Sequence, residues 1–288
     1  MTLHQLLQEG ASSLARAGDT EAQLDARRLL LEAFHLDMTH FLMNRMQVLE
    51  QTRDVGAAAD RYREMIRKRS RRIPLQHILG SQDFMGLTFR VNEHVLIPRQ
   101  DTETLVELVL EEHKDRNKKV LDLCTGSGCI AVSLSVLGGF EDVTATDLSF
   151  EALKVAKENA ERLLDQGRAI RFLQGDLFDC LETRFDIITA NPPYIATGVI
   201  RNLAPEVRDH EPRMALDGDE DGLCFYRRIA AKAGEWLEPG GCIYLEIGYD
   251  QGLAVSRLLE ETGFENIRIV KDTPGLDRVV YAEGGRNV

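Results

Sequence analysis

The sequence has few of the patterns that mark disulfides, metal sites or membrane spans. It contains five cysteines and seven histidines, but the cysteines form no CxxC pair and the histidines do not cluster at ligand spacing. No apolar run approaches the length of a transmembrane helix. Residues 1–5 lack a basic stretch followed by an apolar one, so no export is expected. We therefore expect no metal, no membrane partner and a reducing, cytoplasmic environment.

Positive charge is also scarce, since the formal net charge is -12. Duplex nucleic acid is held largely by Lys and Arg on phosphates, so we expect no stable nucleic-acid partner. One stretch, 61–72, is basic, and it suits either a solvated helix C-terminus or a docking patch for an acidic partner or RNA. Its cations are Arg61, Arg63, Arg67, Lys68, Arg69, Arg71 and Arg72.

The pattern of apolar residues divides the chain into three parts. Apolar residues recur at helical spacing over 1–72, which predicts a small bundle whose last helix runs from near Gln51 to Ser70. The segment 73–98 has the glycines and alternating apolar residues of extended chain, which indicates a β-hairpin linker. A helix capped by Asp101 or Thr102 then opens a third part, 99–288.

Strand and helix patterns alternate from about residue 120 onward. Strands are predicted at 119–123, 142–146, 169–173, 185–190, 241–247, 264–270 and 277–282, with helices at 128–137, 149–164, 222–237 and 250–262. This alternation predicts an α/β domain around a mostly parallel sheet. Such sheets bind ligands beyond the carboxyl ends of their strands.

The fourth predicted strand ends abruptly at Asn191-Pro192-Pro193-Tyr194. Each residue before a proline is driven into extended conformation, and neither proline offers an N–H, so the stretch is stiff and rich in acceptors. The Asn191 side-chain oxygen and the Pro192 carbonyl could accept both hydrogens of a planar NH2 group. Tyr194 would lie where a flat substrate group packs. Alone, the motif could equally be a turn with a surface aromatic.

Three earlier strand ends also carry ligand-type residues. The first runs into Cys124-Thr125-Gly126-Ser127-Gly128, where glycines let the backbone approach a ligand. The second ends at Asp147, which is placed to grip the ribose hydroxyls of a nucleoside cofactor. The third is followed by Asp176 and Leu177, which could flank a purine. Turn chemistry explains each one singly, but four in succession favour a site.

These motifs resemble those of class I S-adenosylmethionine-dependent methyltransferases that act on planar nitrogen. The helical first part and the segments 97–103 and 211–218 narrow the resemblance to the peptide chain release factor glutamine N5-methyltransferase (PrmC/HemK) family. The resemblance implies a Rossmann-like fold with a seven-stranded, mostly parallel sheet after a small all-α bundle and a β-hairpin linker. It also implies that 1–72 recognises the release factor and that 99–288 is the methyltransferase domain.

The resemblance implies further roles within the site. Residues 124–128 would line the methionine part of S-adenosyl-L-methionine, Asp147 would hold its ribose, and Asp176 with Leu177 would border its adenine. Asn191 to Tyr194 would hold the glutamine of the Gly-Gly-Gln motif in class 1 release factors. The family commonly has glycine at the position of Cys124. A monomer is expected.

Two other functions remain open at this point. A DNA amino-methyltransferase grips adenine N6 or cytosine N4 with a similar motif, although it needs a basic cleft for the duplex. A module that binds the cofactor without catalysis is the second, although cofactor retention does not require Asn191. Arg99, Glu103 and Glu211 are candidates for supporting the site, and the acidic loop 217–222 is interpreted as solvated.

Overall fold

A computed structural model describes residues 1–50 and 52–285. The predicted helix start at Gln51 and the last three residues of the predicted 99–288 domain lie outside these ranges. The chain forms two compact units. The first combines Met1–Gly80 with Ala204–His210, and the second contains Ser81–Leu203 and the described residues from Glu211 onward.

The first unit is helical, as the apolar periodicity predicts. Its first five helices are α1 (Leu3–Arg16), α2 (Ala22–Phe34), α3 (Met38–Asn44), α4 (Arg53–Ser70) and α5 (Leu75–Leu79). Leucines of α1 and α2 pack with Tyr62 and Ile66 of α4 in one apolar core. The extended chain predicted over 73–98 is wrong at α5, because Leu75 joins this core and Gly80, at φ 74°, ends the helix.

Part of the basic stretch 61–72 lies inside the first unit rather than on a solvated face. Arg69 is buried, its Nε lies 2.6 Å from Asp25 Oδ2, and its Nη1 lies 2.8 Å from Glu206 Oε1. Arg72 Nη2 also lies 2.8 Å from Glu206 Oε1. Glu206 belongs to the short helix Pro205–His210, so these pairs hold residues 204–210 in the helical unit. Lys68 and Arg71 are exposed.

The second unit begins with an antiparallel hairpin, β1 (Ser81–Phe84) and β2 (Leu87–Arg90), followed by α6 (Glu103–Glu112). Its sheet contains β3 (Val120–Leu123), β4 (Val143–Asp147), β5 (Ile170–Gln174), β6 (Phe185–Ala190), β7 (Leu237–Glu246), β8 (Glu265–Lys271) and β9 (Asp277–Glu283). The remaining helices are α7 (Cys129–Gly138), α8 (Phe150–Leu163), α9 (Thr197–Ile200), α10 (Pro205–His210, in the first unit), α11 (Cys224–Trp236) and α12 (Gly252–Glu261). No helix among the described residues is both long and apolar enough to span a membrane.

The sheet order is β5-β4-β3-β6-β7-β9-β8; β9 pairs antiparallel with β7 and β8, and the other four pairs are parallel. This confirms the predicted seven-stranded, mostly parallel sheet. The predicted start of the fifth strand at 241 is wrong, since β7 begins at Leu237. Between Leu237 and Cys242 the pairing with β6 shifts register, so β7 contains a bulge that includes Pro239-Gly240-Gly241.

The chain leaves β3 toward β4 and β5 on one side and returns through β6 on the other. The order of strands therefore reverses between β3 and β6, and the carboxyl ends of these strands form a crevice. All four residues of β3 are buried, because helices cover both faces of the sheet. The fold thus brings the predicted ligand-type residues to one edge.

Candidate active site

A cavity of about 240 Å³ lies at this edge of the second unit. Nine of the twelve residues proposed for the site line it: Cys124, Thr125, Gly126, Ser127, Asp147, Asp176, Leu177, Asn191 and Pro193. Among the described residues, Gly128, Pro192 and Tyr194 are not part of the lining. Pro192 is buried, and Tyr194 packs against the apolar core that contains Tyr226 and Ile243.

The turn from β3 into α7 is shaped by left-handed backbone conformations. Cys124 and Gly126 both have φ 55°, and Gly128 has φ 79°. A Cβ on Gly128 would lie 3.1 Å from the Cβ of Ala156, so this glycine allows α7 and α8 to pack. A Cβ on Gly126 would meet nothing within 4 Å. Gly126 therefore offers bare backbone to the cavity, whereas Gly128 serves the packing behind it.

Two carboxylates hold this turn in place. Asp122 is 0% exposed, and it accepts hydrogen bonds from Thr125 Oγ1 at 2.6 Å and Thr189 Oγ1 at 2.9 Å. Burial raises the pKa of Asp122 to about 7, against the effect of these hydrogen bonds. Asp147 Oδ2 accepts from the Gly126 N–H at 2.9 Å, which ties the turn to the end of β4. Burial also raises the pKa of Asp147.

The cavity fits a nucleoside ligand in its chemistry. Asp147 supplies carboxylate oxygens on the wall, and hydroxyl groups of a ribose can donate to such acceptors. Leu177 adds an apolar wall beside it and adopts φ 54°, a conformation rare for a branched residue. Asp176 Oδ2 lies 2.8 Å from Arg228 Nη2, which fixes this carboxylate at the rim.

The end of β6 carries two hydrogen-bond acceptors, one on a side chain and one on the main chain. The Asn191 Nδ2 donates to Thr102 Oγ1 at 3.3 Å. Within residues 1–50 and 52–285, no group donates to the Asn191 Oδ1 or to the Pro192 carbonyl oxygen. A planar NH2 group needs two such acceptors.

The acidic loop 217–222 supports the end of β6, so its interpretation as a solvated loop is wrong in part. A Cβ on Gly222 would lie 2.3 Å from the Tyr194 carbonyl oxygen, and a Cβ on Gly218 would lie 2.9 Å from the Pro193 oxygen. The Gly218 N–H also donates to the Ile195 carbonyl at 2.8 Å. Residues 219–221 are exposed, as predicted.

The three supporting candidates have different positions. Arg99 lines the cavity, and its Nη2 lies 2.5 Å from Oε1 of Glu211, whose pKa is raised by burial. Glu103 instead accepts from the Met85 N–H at 2.6 Å and so holds the hairpin. No group of metal-ligating side chains occurs among the described residues.

Sequence reasoning missed two residues behind Asn191. Thr102 stands at the start of α6, but its side chain makes no capping hydrogen bond and instead contacts Asn191. Glu246 ends β7 and is 1% exposed. A carboxylate that ends the apolar run Ile243-Tyr244-Leu245 was the available signal, since buried charges occur where a partner holds them.

Comparison with known proteins places the chain among methyltransferases. A family model described as the PrmC N-terminal domain matches residues 5–80, and one described as the Methyltransferase small domain matches 100–206. A release factor glutamine methyltransferase of Geobacter sulfurreducens is 41% identical over 286 residues, covering 99% of this chain and 96% of the relative. The Streptococcus pneumoniae protein of that name is 38% identical and covers both chains fully, at 100% each.

The fold is also similar to solved methyltransferase structures. A methyltransferase from Pyrococcus furiosus aligns with a TM-score of 0.52 and 19% identity, covering 70% of this chain and 91% of that one. This likeness supports the fold assigned above. The full-length sequence relatives carry the assignment further: the chain belongs to the release factor glutamine methyltransferase family.

Proposed function

We propose that the cavity between β3 and β6 is where this chain methylates N5 of the glutamine in the Gly-Gly-Gln motif of peptide chain release factors. The products are N5-methylglutamine and S-adenosyl-L-homocysteine. One observation carries the proposal: Asn191 lines the cavity, and no group in residues 1–50 and 52–285 donates to its Oδ1 or to the Pro192 carbonyl oxygen. The names of the full-length relatives support the same substrate class.

The two acceptors address the main difficulty of the reaction. An amide nitrogen is a poor nucleophile because its lone pair is delocalised into the carbonyl group. When Asn191 Oδ1 and the Pro192 carbonyl accept its two hydrogens, the amide is held with one face toward the methyl donor. The same oxygens stabilise positive charge that develops on the nitrogen. The proton leaves after transfer, so no strongly basic side chain is needed.

The part of the cavity lined by the strand ends before β6 would hold the methyl donor. S-adenosyl-L-methionine supplies the methyl group when it is bound there. The backbone of 124–127 would contact its methionine part, Asp147 would accept from the ribose hydroxyls, and Asp176 with Leu177 would border the adenine. Gly128 and Tyr194, which lie outside the lining, serve by shaping the backbone on either side, and Pro193 forms part of the wall. Arg99 forms part of the cavity wall and is held by its ion pair with Glu211.

The test offers the protein several acceptors. The enzyme is incubated with methyl-labelled S-adenosyl-L-methionine and, separately, with unmethylated class 1 release factor, with the same factor carrying Gln→Ala in the Gly-Gly-Gln motif, and with duplex DNA. We expect label only in the unaltered factor, with mass spectrometry placing the methyl group on the glutamine side chain. Equal labelling of the Gln→Ala factor, or labelling of DNA alone, would contradict the proposal.

We also propose that the enzyme acts as a monomer in the cytoplasm and forms no stable complex with nucleic acid. The net charge of -12 supports this because the backbone phosphates of RNA and DNA would be repelled. Light scattering after size exclusion, with and without added RNA, would check both statements. A dimer mass, or co-elution with RNA at physiological salt, would contradict them.

A further inference from the structure

Behind Asn191 lie two buried polar side chains from other elements. Asn191 follows β6, Thr102 precedes α6 and Glu246 ends β7. Thr102 is 2% exposed and Glu246 is 1% exposed. The Asn191 Nδ2 lies 3.3 Å from Thr102 Oγ1, and both side chains lie close enough to the Glu246 carboxyl to lower its pKa. Glu246 Oε2 has no hydrogen-bond partner in the part of the chain that is described.

The chemistry of these three groups decides which atom donates and which atom accepts each hydrogen bond. An ionised carboxylate only accepts hydrogen bonds, whereas a hydroxyl donates one and accepts others. When Glu246 is ionised, its carboxylate attracts the Thr102 hydrogen, and Thr102 Oγ1 accepts from Asn191 Nδ2. The Asn191 amide must then turn its nitrogen inward. Its oxygen is left facing the cavity.

We propose that Glu246, acting with Thr102, is a positioning residue that fixes which end of the Asn191 amide faces the substrate. This rests on the proposed function, in which Asn191 Oδ1 must accept a hydrogen from the glutamine amide. A protonated Glu246 donates instead of accepting. It can reverse the Thr102 hydroxyl, which then donates to Asn191 Oδ1, and the amide nitrogen turns toward the cavity. A donor facing a substrate N–H blocks productive binding.

The surroundings of Glu246 place this change near neutral pH. Burial raises its pKa to about 7, while Thr102, Arg278 and Asn191 oppose the rise and Asp101 adds to it. Arg278 is itself paired with Asp272 at 3.1 Å and Asp101 at 3.3 Å, so its charge is shared. The other titratable groups that interact with Glu246 are Tyr194, Tyr226 and Cys129. Catalysis should therefore weaken as pH falls through about 7.

A nuclear magnetic resonance titration tests the orientation without relying on activity. The side-chain NH2 signals of Asn191 are identified by their loss in Asn191→Ala and followed from acid to alkaline pH. We expect them to shift with a midpoint near 7 in the native chain, to stay constant in Glu246→Gln, and to keep the titration in Asp122→Asn. Signals that do not titrate in the native chain, or that titrate unchanged in Glu246→Gln, would overturn the proposal.

Kinetics with release factor provide the second test and need only changes at Thr102. Thr102→Val should lower kcat about tenfold, the size of one lost hydrogen bond, without changing KM for the cofactor. Thr102→Ser keeps the hydroxyl and should therefore keep most of the native kcat. Thr144→Val is the matched control, because Thr144 is 1% exposed and its Oγ1 has no partner among the described residues.

The two tests separate the two proposals. If the native chain leaves release factor unmethylated, the proposed function is wrong, and the titration still decides the orientation of Asn191. If the native chain is active but Thr102→Val is no slower than Thr144→Val, the positioning role is wrong while the function stands.

Discussion

The two sides of the cavity are made of different parts of the chain. The cofactor side is main chain: Gly126 offers bare backbone, and Asp147 serves partly to hold the Gly126 N–H. The acceptor side relies more on side chains: beside the Pro192 carbonyl stands the Asn191 amide, which contacts the buried Thr102 and, in our proposal, is positioned by the buried Glu246. Main chain is present whatever the residue, so the first side is sensitive to added atoms. The second is sensitive to the loss or reversal of single polar atoms.

The strongest test of this difference is removal of the Asn191 side chain. Asn191→Ala should lower kcat on release factor about 100- to 1000-fold, the effect of losing one preorganised group at a developing charge. Cofactor affinity should change little, since the backbone on the other side is untouched. Equilibrium binding and steady-state rates measure the two quantities. Asn202→Ala, at an exposed asparagine of the same unit, is the control. If Asn191→Ala lost cofactor affinity as strongly as it lost kcat, the division of the cavity into two sides would be wrong.

A pH series on stability examines the buried carboxyls. Glu246 has a pKa near 7 when folded, above the ordinary 4.5, so the folded state binds its proton more tightly. The contribution of Glu246 to the free energy of unfolding is therefore complete below about pH 4.5 and is lost as pH rises through about 7.

Glu246→Gln should thus match the native chain at acid pH and exceed it by about 3 kcal/mol at pH 8, at about 1.4 kcal/mol per pKa unit. Urea unfolding at several pH values measures this difference. Glu260→Gln, at an exposed glutamate, is the control. A difference between Glu246→Gln and the native chain that does not vary with pH would show that burial does not disfavour the Glu246 charge.

Signals within a short stretch of sequence could predict part of the site, whereas contacts between residues far apart in the chain could not be predicted. Glycines and carboxylates at strand ends are local signals, so the positions of Gly126, Asp147 and Asn191 at one edge could be inferred. Thr102 looked like a helix cap because its neighbours in the chain are all that a sequence pattern includes. Its partner Asn191 lies 89 positions away. The bulge in β7 was missed for a related reason, since register depends on the neighbouring strand.

On the cofactor side, a single added methyl group should lower both folding stability and cofactor affinity. Gly126→Ala places a Cβ in open space toward the cavity at φ 55°, so the change costs about 1–2 kcal/mol of backbone strain. We expect a similar loss in folding stability and weaker cofactor binding. Gly198→Ala, at an open position with ordinary φ, should have neither effect. Calorimetry on both variants provides the comparison, and equal cofactor affinities would contradict the role of Gly126.

The smallest effect concerns Cys124, which resembles Gly126 in backbone but carries a side chain. At φ 55° a non-glycine residue is strained by about 1–2 kcal/mol, whereas glycine costs about 0.5–1 kcal/mol in chain entropy. Cys124→Gly should therefore leave stability equal or higher by about 0.5 kcal/mol and should strengthen cofactor binding slightly. Cys180→Gly, at a partly buried cysteine outside the left-handed region, should lower stability by about 1 kcal/mol. Equal destabilisation by both changes would mean that the turn after β3 does not favour glycine at position 124, and that the main chain there is less constrained than on the rest of the cofactor side.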